Sequence, residues 1–359
     1  MQKNNDVMIA MSGGVDSSVA AFLLKERGYS PVGATMCFGL VDVDGNPKSC
    51  CDPKSVADAK RVCAKLSIPH YVFDYVNELK EYVIDNFVEE YTLGQTPNPC
   101  VRCNTFLKFT LLLNRAKELG LSQTATGHYA KITEDGQGFH LECADDKIKD
   151  QSYFLWGIKK ADLPYILFPV CDIEKPTLRK IAENAQLSVA QKQDSQDICF
   201  VSNGDYRTLL SQYGIKPQKG KMLHTDGRIL GEHSGIENYT VGQRRGLGIA
   251  LGEPAFVCEI DPKSNAVIIG NRTDLLANGC IVKNCNFLEE LKDASSFGVK
   301  IRSTMSPAKC KIEKTDETSV KIIFEEPQFA VTCGQSAVVY DGNRVIFGGI
   351  IRERINLRI

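Results

Sequence analysis

The opening of the chain constrains its fold more than any other feature. An apolar run, Val7 to Met11, leads into Ser12-Gly13-Gly14-Val15-Asp16-Ser17-Ser18, and a helical pattern from Ser17 to Arg27 follows, closed by Gly28. Strand, glycine loop and helix in that order predict a βαβ start. The glycines allow close backbone approach, successive N–H groups form an anion nest, and the helix N-terminus adds the positive end of its dipole. A loop of this kind can hold a pyrophosphate. It is neither a Walker A loop nor GxGxxG, because no Gly-Lys-Ser/Thr follows and the glycine spacing differs. The plainer alternative is a glycine turn with Asp16 as a helix-terminal cap.

The alternation continues through the first half. Strands are predicted at Pro31 to Cys37, His70 to Phe73 and Gln123 to Thr126. Helices are predicted from Asp52 and Pro53, through Leu79, Val83 and Phe87, from about Thr105 to Leu119, and from Pro176. This is an α/β pattern with a parallel sheet covered on both faces. Ligands on such sheets bind beyond the carboxyl ends of the strands, so the loops after Met11, Met36 and Thr126 should share one crevice. From Lys219 the pattern changes to short strands with glycine-rich turns, and from about residue 276 it alternates almost continuously, with turns at Thr315-Asp316-Glu317 and Asp341-Gly342-Asn343. The expected domains are 1–205, a small central linking domain 206–275, and a C-terminal antiparallel β-barrel 276–359.

At 359 residues, 43% hydrophobic and 24% charged, the chain is an ordinary globular protein, which excludes disordered and collagen-like classes. The net charge of −1 gives no global reason to expect nucleic acid, so any RNA binding must come from a local patch. The N-terminal apolar run is too short for a signal-peptide core, and no stretch approaches a membrane span, so a cytoplasmic protein without a membrane partner is expected. Fourteen cysteines in that compartment point to metal, persulfide or redox chemistry at a few of them. The rest, including Cys50, Cys51, Cys63, Cys143, Cys258 and Cys333, are expected to be structural or incidental.

Two cysteine neighbourhoods stand apart. One is Thr96-Pro97-Asn98-Pro99-Cys100-Val101-Arg102-Cys103-Asn104, in which Cys103 is expected near a helix start, where the dipole favours thiolate. The other is Asp194-Ser195-Gln196-Asp197-Ile198-Cys199-Phe200.

SGGVDSS resembles the PP-loop of the ATP pyrophosphatases. With GATM, TPNP..RCN, ATGHYA, KDQSYFLW, SQDICF, YTVGQRRGLGI and GQSAVVYDG in that order, nearly the whole chain resembles the bacterial tRNA 2-thiouridylases, the MnmA family. The resemblance implies a transferase that adenylates O2 of the wobble uridine in the tRNAs for Glu, Gln and Lys and replaces that oxygen with sulfur. It implies an ATP site at Ala10, Met11, Ser12, Gly13, Gly14, Val15, Asp16, Ser17, Met36 and Gly127, with Mg²⁺ accompanying the nucleotide. Cys199 would carry a persulfide from an upstream sulfur-carrier protein or cysteine desulfurase, and Cys103 would release the sulfur, leaving a Cys103–Cys199 disulfide. Contacts to the anticodon stem-loop are implied for Asn98, Pro99, Cys100, His128, Lys149, Asp150, Gln151, Arg244, Arg245, Arg302, Ser303 and Gln335, and a monomer is expected.

The chain departs from the family pattern at Cys100, where Asp is usual. Cys100, Cys103 and Cys199 offer three thiolates, enough for a [4Fe-4S] cluster with one open iron. Persulfide and cluster routes therefore both stand at the level of sequence. Two further alternatives are a PP-loop enzyme adenylating a small metabolite and a catalytically idle tRNA-binding protein.

Overall fold

The computed structural model describes residues 5–40, 53–193, 198–201, 205–249, 252, 254–291 and 297–356. Cys50, Cys51, Asp52 and Asp194 to Asp197 lie outside the described residues. The chain divides into two units: residues 1–83, 100–204 and 343–345, and residues 84–99, 205–342 and 346–359.

The first unit is built on a parallel sheet in the order β3-β2-β1-β4-β7. The central strand β1, Asp6–Ala10, pairs with β2, Ser30–Cys37, on one side and with β4, Gln123–Ala125, on the other. Val7, Met8 and Ile9 are fully buried, which is why β1 reads as an unbroken apolar run. Strand β3, His70–Asp74, and the short β7, Ile166–Leu167, complete the edges. Helix α1, Val15–Glu26, and α2, Pro53–Lys65, cover the sheet, and α1 buries Val19, Ala20 and Leu24 in a core shared with Val62, Leu178 and Ala182. Because the chain goes outward through β2 and β3 and then returns beyond β1 to β4, the switch point of the sheet lies between β1 and β4. A crevice is expected there. A β-hairpin not predicted from the sequence, β5 Ala130–Asp135 and β6 Gly138–Cys143, follows β4.

Two helical runs differ from the sequence expectation. The first, α3, comprises Val76–Leu79, a π-helical segment Lys80–Ile84, and Asp85–Thr92. The second, α4, starts at Pro99 rather than Thr105, and comprises Pro99–Arg102, a π-helical segment Cys103–Leu111, and Leu112–Glu118. Helix α5, Lys175–Asn184, is the one announced by Pro176.

The second unit holds α6, Tyr206–Gln212, and two sheets. The smaller has the order β10-β11-β8-β9 and is built from Phe256–Asp261, Ala266–Gly270, Gly220–His224 and Ile229–His233 around Met222, Val257, Val267 and Ile269. The larger is antiparallel: β12 Leu276–Phe287, β15 Val320–Phe329, β14 Ala308–Lys314, β13 Phe297–Lys300, β16 Ser336–Asp341 and β17 Arg344–Asn356 follow one another, and β17 pairs back onto β12. This closes a six-stranded barrel around Val282, Val299, Ile322, Val339 and Phe347. Among the described residues no helix is long and apolar enough to cross a membrane.

Candidate active site

The loop after β1 is held by its own hydroxyls. Ser17 Oγ lies 3.2 Å from Ser12 Oγ and donates to the Gly14 carbonyl at 3.2 Å, and Ser18 Oγ donates to the same carbonyl at 2.8 Å. Two glycines are sterically required. Gly13 has φ +71°, and a Cβ there would run into the carbonyl of Ser55 at the start of α2. A Cβ on Gly127 would lie 2.7 Å from both Asp16 C and Ser17 N, so the loop after β4 packs directly on the first turn of α1.

These loops enclose a cleft of about 530 Å³. The size suits a nucleotide with part of a second substrate. Its lining includes Ala10, Met11, Ser12, Gly14, Val15, Asp16 and Ser17 from the first loop, Met36 and Phe38 after β2, and Thr126 to Tyr129 after β4. Cys103, Lys149, Gln151 and Cys199 face the same space. The two cysteines stand 96 positions apart in sequence, and the strand-end topology brings them together.

Three lysines that sequence reasoning passed over also line the cleft. Lys175, from the start of α5, donates to both Asp16 oxygens at 2.6 and 2.7 Å, and Tyr129 Oη donates to Asp16 Oδ1 at 3.0 Å. Asp16 is thus neutralised within the loop rather than being a simple helix cap. Lys192 donates to the Gly13 carbonyl at 3.0 Å and to Asp58 Oδ2 at 2.8 Å, tying the glycine loop to α2. Lys108, on the π-helical segment, lies 3.3 Å from His128 Nε2.

His128 is packed between Phe109 and Phe168, with ring centroids 5.8 and 6.2 Å away, and its Nδ1 is 2.7 Å from Thr126 Oγ1. Burial holds its pKa well below 6.5, with Lys108 adding to the effect. The ring is therefore neutral. It accepts from the Lys108 ammonium at Nε2 and donates to Thr126 from Nδ1.

Several sequence expectations are corrected. Because the helix begins at Pro99, Cys103 stands a full turn inside it, beyond the reach of a dipole effect confined to the first turn. Cys100 occupies that first turn; it is exposed by area, yet dense surroundings raise its thiol pKa, with Lys108 opposing. Cys100 is not among the lining residues, and no three His, Cys, Asp or Glu side chains among the described residues are grouped to hold a metal. Asp150 shapes its own loop: Oδ1 accepts from the backbone N–H of Ala144 and Ser152, and Oδ2 accepts from Ser152 Oγ. Gln151 lines the cleft while its Oε1 accepts from the Tyr129 N–H at 2.9 Å.

In the second unit, Gln335 donates to the Thr96 and Pro97 carbonyls at 3.0 and 3.3 Å, bracing the loop of Asn98 and Pro99. Arg244 and Arg245 are exposed on their glycine-rich turn. Arg302 donates to the Ala330 carbonyl at 2.8 Å, and Ser303 follows it, half-buried. Burial raises the thiol pKa of Cys63 and Cys258 to about 11 and of Cys285 and Cys310 to about 12, so these remain inert thiols.

A hydroxyl-braced glycine loop at the switch point of a parallel sheet, facing a nucleotide-sized cleft, defines a PP-loop nucleotide-binding enzyme. Residues 5–203 match the model of the tRNA methyl transferase HUP domain, 207–271 that of the tRNA methyl transferase PRC-barrel domain, and 277–351 that of the aminomethyltransferase beta-barrel domain. The tRNA-specific 2-thiouridylase MnmA of Rickettsia typhi is 46% identical over 356 residues, covering 97% of this chain and 99% of its own. Its counterpart in Rickettsia felis is 46% identical over 362 residues, covering 98% of each, and that of Rickettsia prowazekii is 45% identical over 357 residues, covering 98% and 99%. The chain belongs to the tRNA-specific 2-thiouridylase family of transferases, MnmA.

Proposed function

We propose that the protein replaces the C2 oxygen of the wobble uridine in the tRNAs for Glu, Gln and Lys with sulfur, using MgATP to activate the base and a cysteine persulfide as sulfur source. The observation that carries this reading is the common cleft of Ser12 to Ser17, Met36, Cys103 and Cys199. Activation at O2 and sulfur attack at C2 must occur on one carbonyl group of one base, and the lining supplies residues for both.

A uracil C2 carbonyl resists substitution because its oxygen is a poor leaving group. Uridine O2 attacks the α-phosphorus of ATP, the α–β P–O bond breaks, and pyrophosphate leaves while the N3 proton passes to solvent. Backbone N–H groups of the nest and the α1 N-terminus stabilise the charge that grows on pyrophosphate. The terminal sulfur of a Cys199 persulfide then attacks C2, and the C2–O bond breaks with its electron pair going to AMP. Cys103 thiolate attacks Cys199 Sγ, leaving the outer sulfur on C2 as a thiocarbonyl, with N3 reprotonated and a Cys103–Cys199 disulfide formed. Cellular thiols reduce the disulfide, and a sulfur-carrier protein or cysteine desulfurase reloads Cys199. Unstacking the target base costs little in an anticodon loop.

His128, Lys149 and Gln151 at the cleft suit contacts to a splayed-out nucleotide, and Asn98, Pro99, Arg244, Arg245, Arg302 and Ser303 suit backbone and loop contacts elsewhere on the tRNA. The test is pyrophosphate release from MgATP with and without tRNA, followed by thiolation assays of Cys100→Ser, Cys103→Ser and Cys199→Ser. Release that depends on tRNA is expected, with thiolation lost in the Cys103 and Cys199 variants and retained in the Cys100 variant. Release driven by a small metabolite without tRNA, or tRNA binding without AMP formation, overturns the reading. Iron bound after anaerobic purification, together with loss of thiolation in Cys100→Ser, overturns the persulfide route.

A further inference from the structure

The cleft lysines differ in what holds them. Lys175 is neutralised by Asp16, and Lys192 is held by Asp58, which it shares with Arg61. Lys108 is held by a neutral imidazole, and among the described residues no carboxylate lies within ion-pair distance of it. An ammonium kept by a carboxylate brings little net charge to a site, whereas one kept by a neutral acceptor brings all of it, undiminished in a partly desolvated cleft.

The position of Lys108 is fixed from two sides. Gly127 packs on the backbone of Asp16 and Ser17, so its neighbour His128 places the Lys108 ammonium beside the phosphate-binding turn. Lys108 also follows Cys103 by five residues on one π-helical segment, where about 4.4 residues make a turn, so both side chains leave the same side of the helix and both line the cleft. A phosphate joining nucleotide to base would fall between the glycine loop and the helix that carries Cys103.

We infer that Lys108 binds the α-phosphate of the nucleotide, and of the adenylated base derived from it, with His128 as its positioning residue. The inference rests on the ATP reading of the cleft and deepens it. In the adenylation step the ammonium would stabilise charge on the α-phosphoryl oxygens. In the sulfur-transfer step it would stabilise the electron pair that the departing AMP takes from C2, with no proton moved.

The test uses the full chain and three probes: AMP, adenosine and inorganic pyrophosphate, each titrated calorimetrically into wild type, Lys108→Met and Lys108→Arg. In Lys108→Met the Kd for AMP is expected to rise about tenfold, while those for adenosine and pyrophosphate stay within twofold; Lys108→Arg is expected to recover most of the loss, since charge is kept. His128→Leu, which removes the holding acceptor, should weaken AMP but not adenosine. Equal weakening of AMP and adenosine, or an unchanged AMP affinity in Lys108→Met, overturns the inference. Pyrophosphate release in wild type with and without tRNA reads the proposed function separately, so a protein that shows the AMP effect without tRNA-dependent release keeps the Lys108 assignment and loses the thiolation reading.

Discussion

At position 127 there is no room for a methyl group. Gly127→Ala would place a carbon 2.7 Å from two backbone atoms of the α1 first turn, and neither neighbour is a side chain that could swing away. The turn carrying Asp16 and Ser17 must shift, and MgATP affinity should fall at least tenfold while the protein still melts cooperatively; an unchanged affinity by calorimetry would show that the turn does not hold phosphate. His128 supplies a pH signature. Its imidazole is half-buried and neutral in the native state, desolvation holding its pKa well below the usual 6.5, so the unfolded chain binds the extra proton. Stability contributed by the neutral ring is complete above about pH 6.5 and is lost as pH falls below it, with a limiting slope of about 1.4 kcal/mol per pH unit. Denaturant melts between pH 7.5 and 5 should show a steeper loss of stability in wild type than in His128→Gln, where the slope that remains includes that of His70, whose pKa burial also lowers. Gly127 and His128 were both legible in the sequence through the ATGHYA motif. Lys108, Lys175 and Lys192 were not: a lysine in a helical or loop pattern reads as solvated, and the partner that makes Lys175 functional, Asp16, lies 159 positions away.

The helix that carries Cys103 shows why element boundaries limited the sequence reading. Prolines at 97 and 99 read as a loop, whereas Pro99 occupies the first helical position, where a missing N–H costs nothing. The π-helical segments leave no periodic trace, because a widened turn breaks the 3.6-residue spacing on which prediction depends. The hairpin of β5 and β6 was missed because its alternation is short and mostly half-buried. By contrast β1, α1, β2 and α2 were legible to within two or three residues, each being bounded by Gly, Pro or a strong apolar run. What fixes the π-helical segment is lateral. Asn104, buried to 3%, donates to the Phe154 carbonyl at 3.0 Å, and its Oδ1 has no protein partner among the described residues. That bond ties the residue after Cys103 to the turn following Lys149 and Gln151. Asn104→Ala should cost about 1–2 kcal/mol of stability. It should also lower thiolation more than tRNA-dependent pyrophosphate release, because the thiol is displaced while the glycine loop is not; equal losses in the two assays would mean the anchor has no local effect on Cys103.

At the scale of the molecule, the two units are interleaved along the chain, and no single cut separates them. Residues 84–99 belong with the second unit, and their packing there is specific. Tyr91 stacks on Tyr206 at 4.2 Å between ring centroids, and Gln335 holds the Thr96 and Pro97 carbonyls. Arg352 on β17 donates to both oxygens of Glu90 at 2.9 and 3.0 Å and also to Gln95. The loop leading into Cys100 and Cys103 therefore begins in a segment secured by residues far downstream, up to 262 positions away in the case of Arg352. Domain boundaries are hard to read from sequence for this reason: periodicity is local, and exchange of a helix between units is not. Glu90 retains 10% of its side-chain exposure, so Arg352→Met would leave a nearly buried carboxylate without its cation, a loss of about 2 kcal/mol after allowing for the partial exposure of Arg352. The double variant Glu90→Gln with Arg352→Met removes the orphaned charge and should recover more than half of that loss. Limited proteolysis reads the same coupling: cleavage within residues 84–99 should accelerate in Arg352→Met and return toward the wild-type rate in the double variant. If the single variant is cleaved no faster than wild type, the Arg352 contact does not secure the segment, and other contacts hold it, among them the stacked tyrosines, Gln335 and the bond from Thr96 N–H to the Cys333 carbonyl.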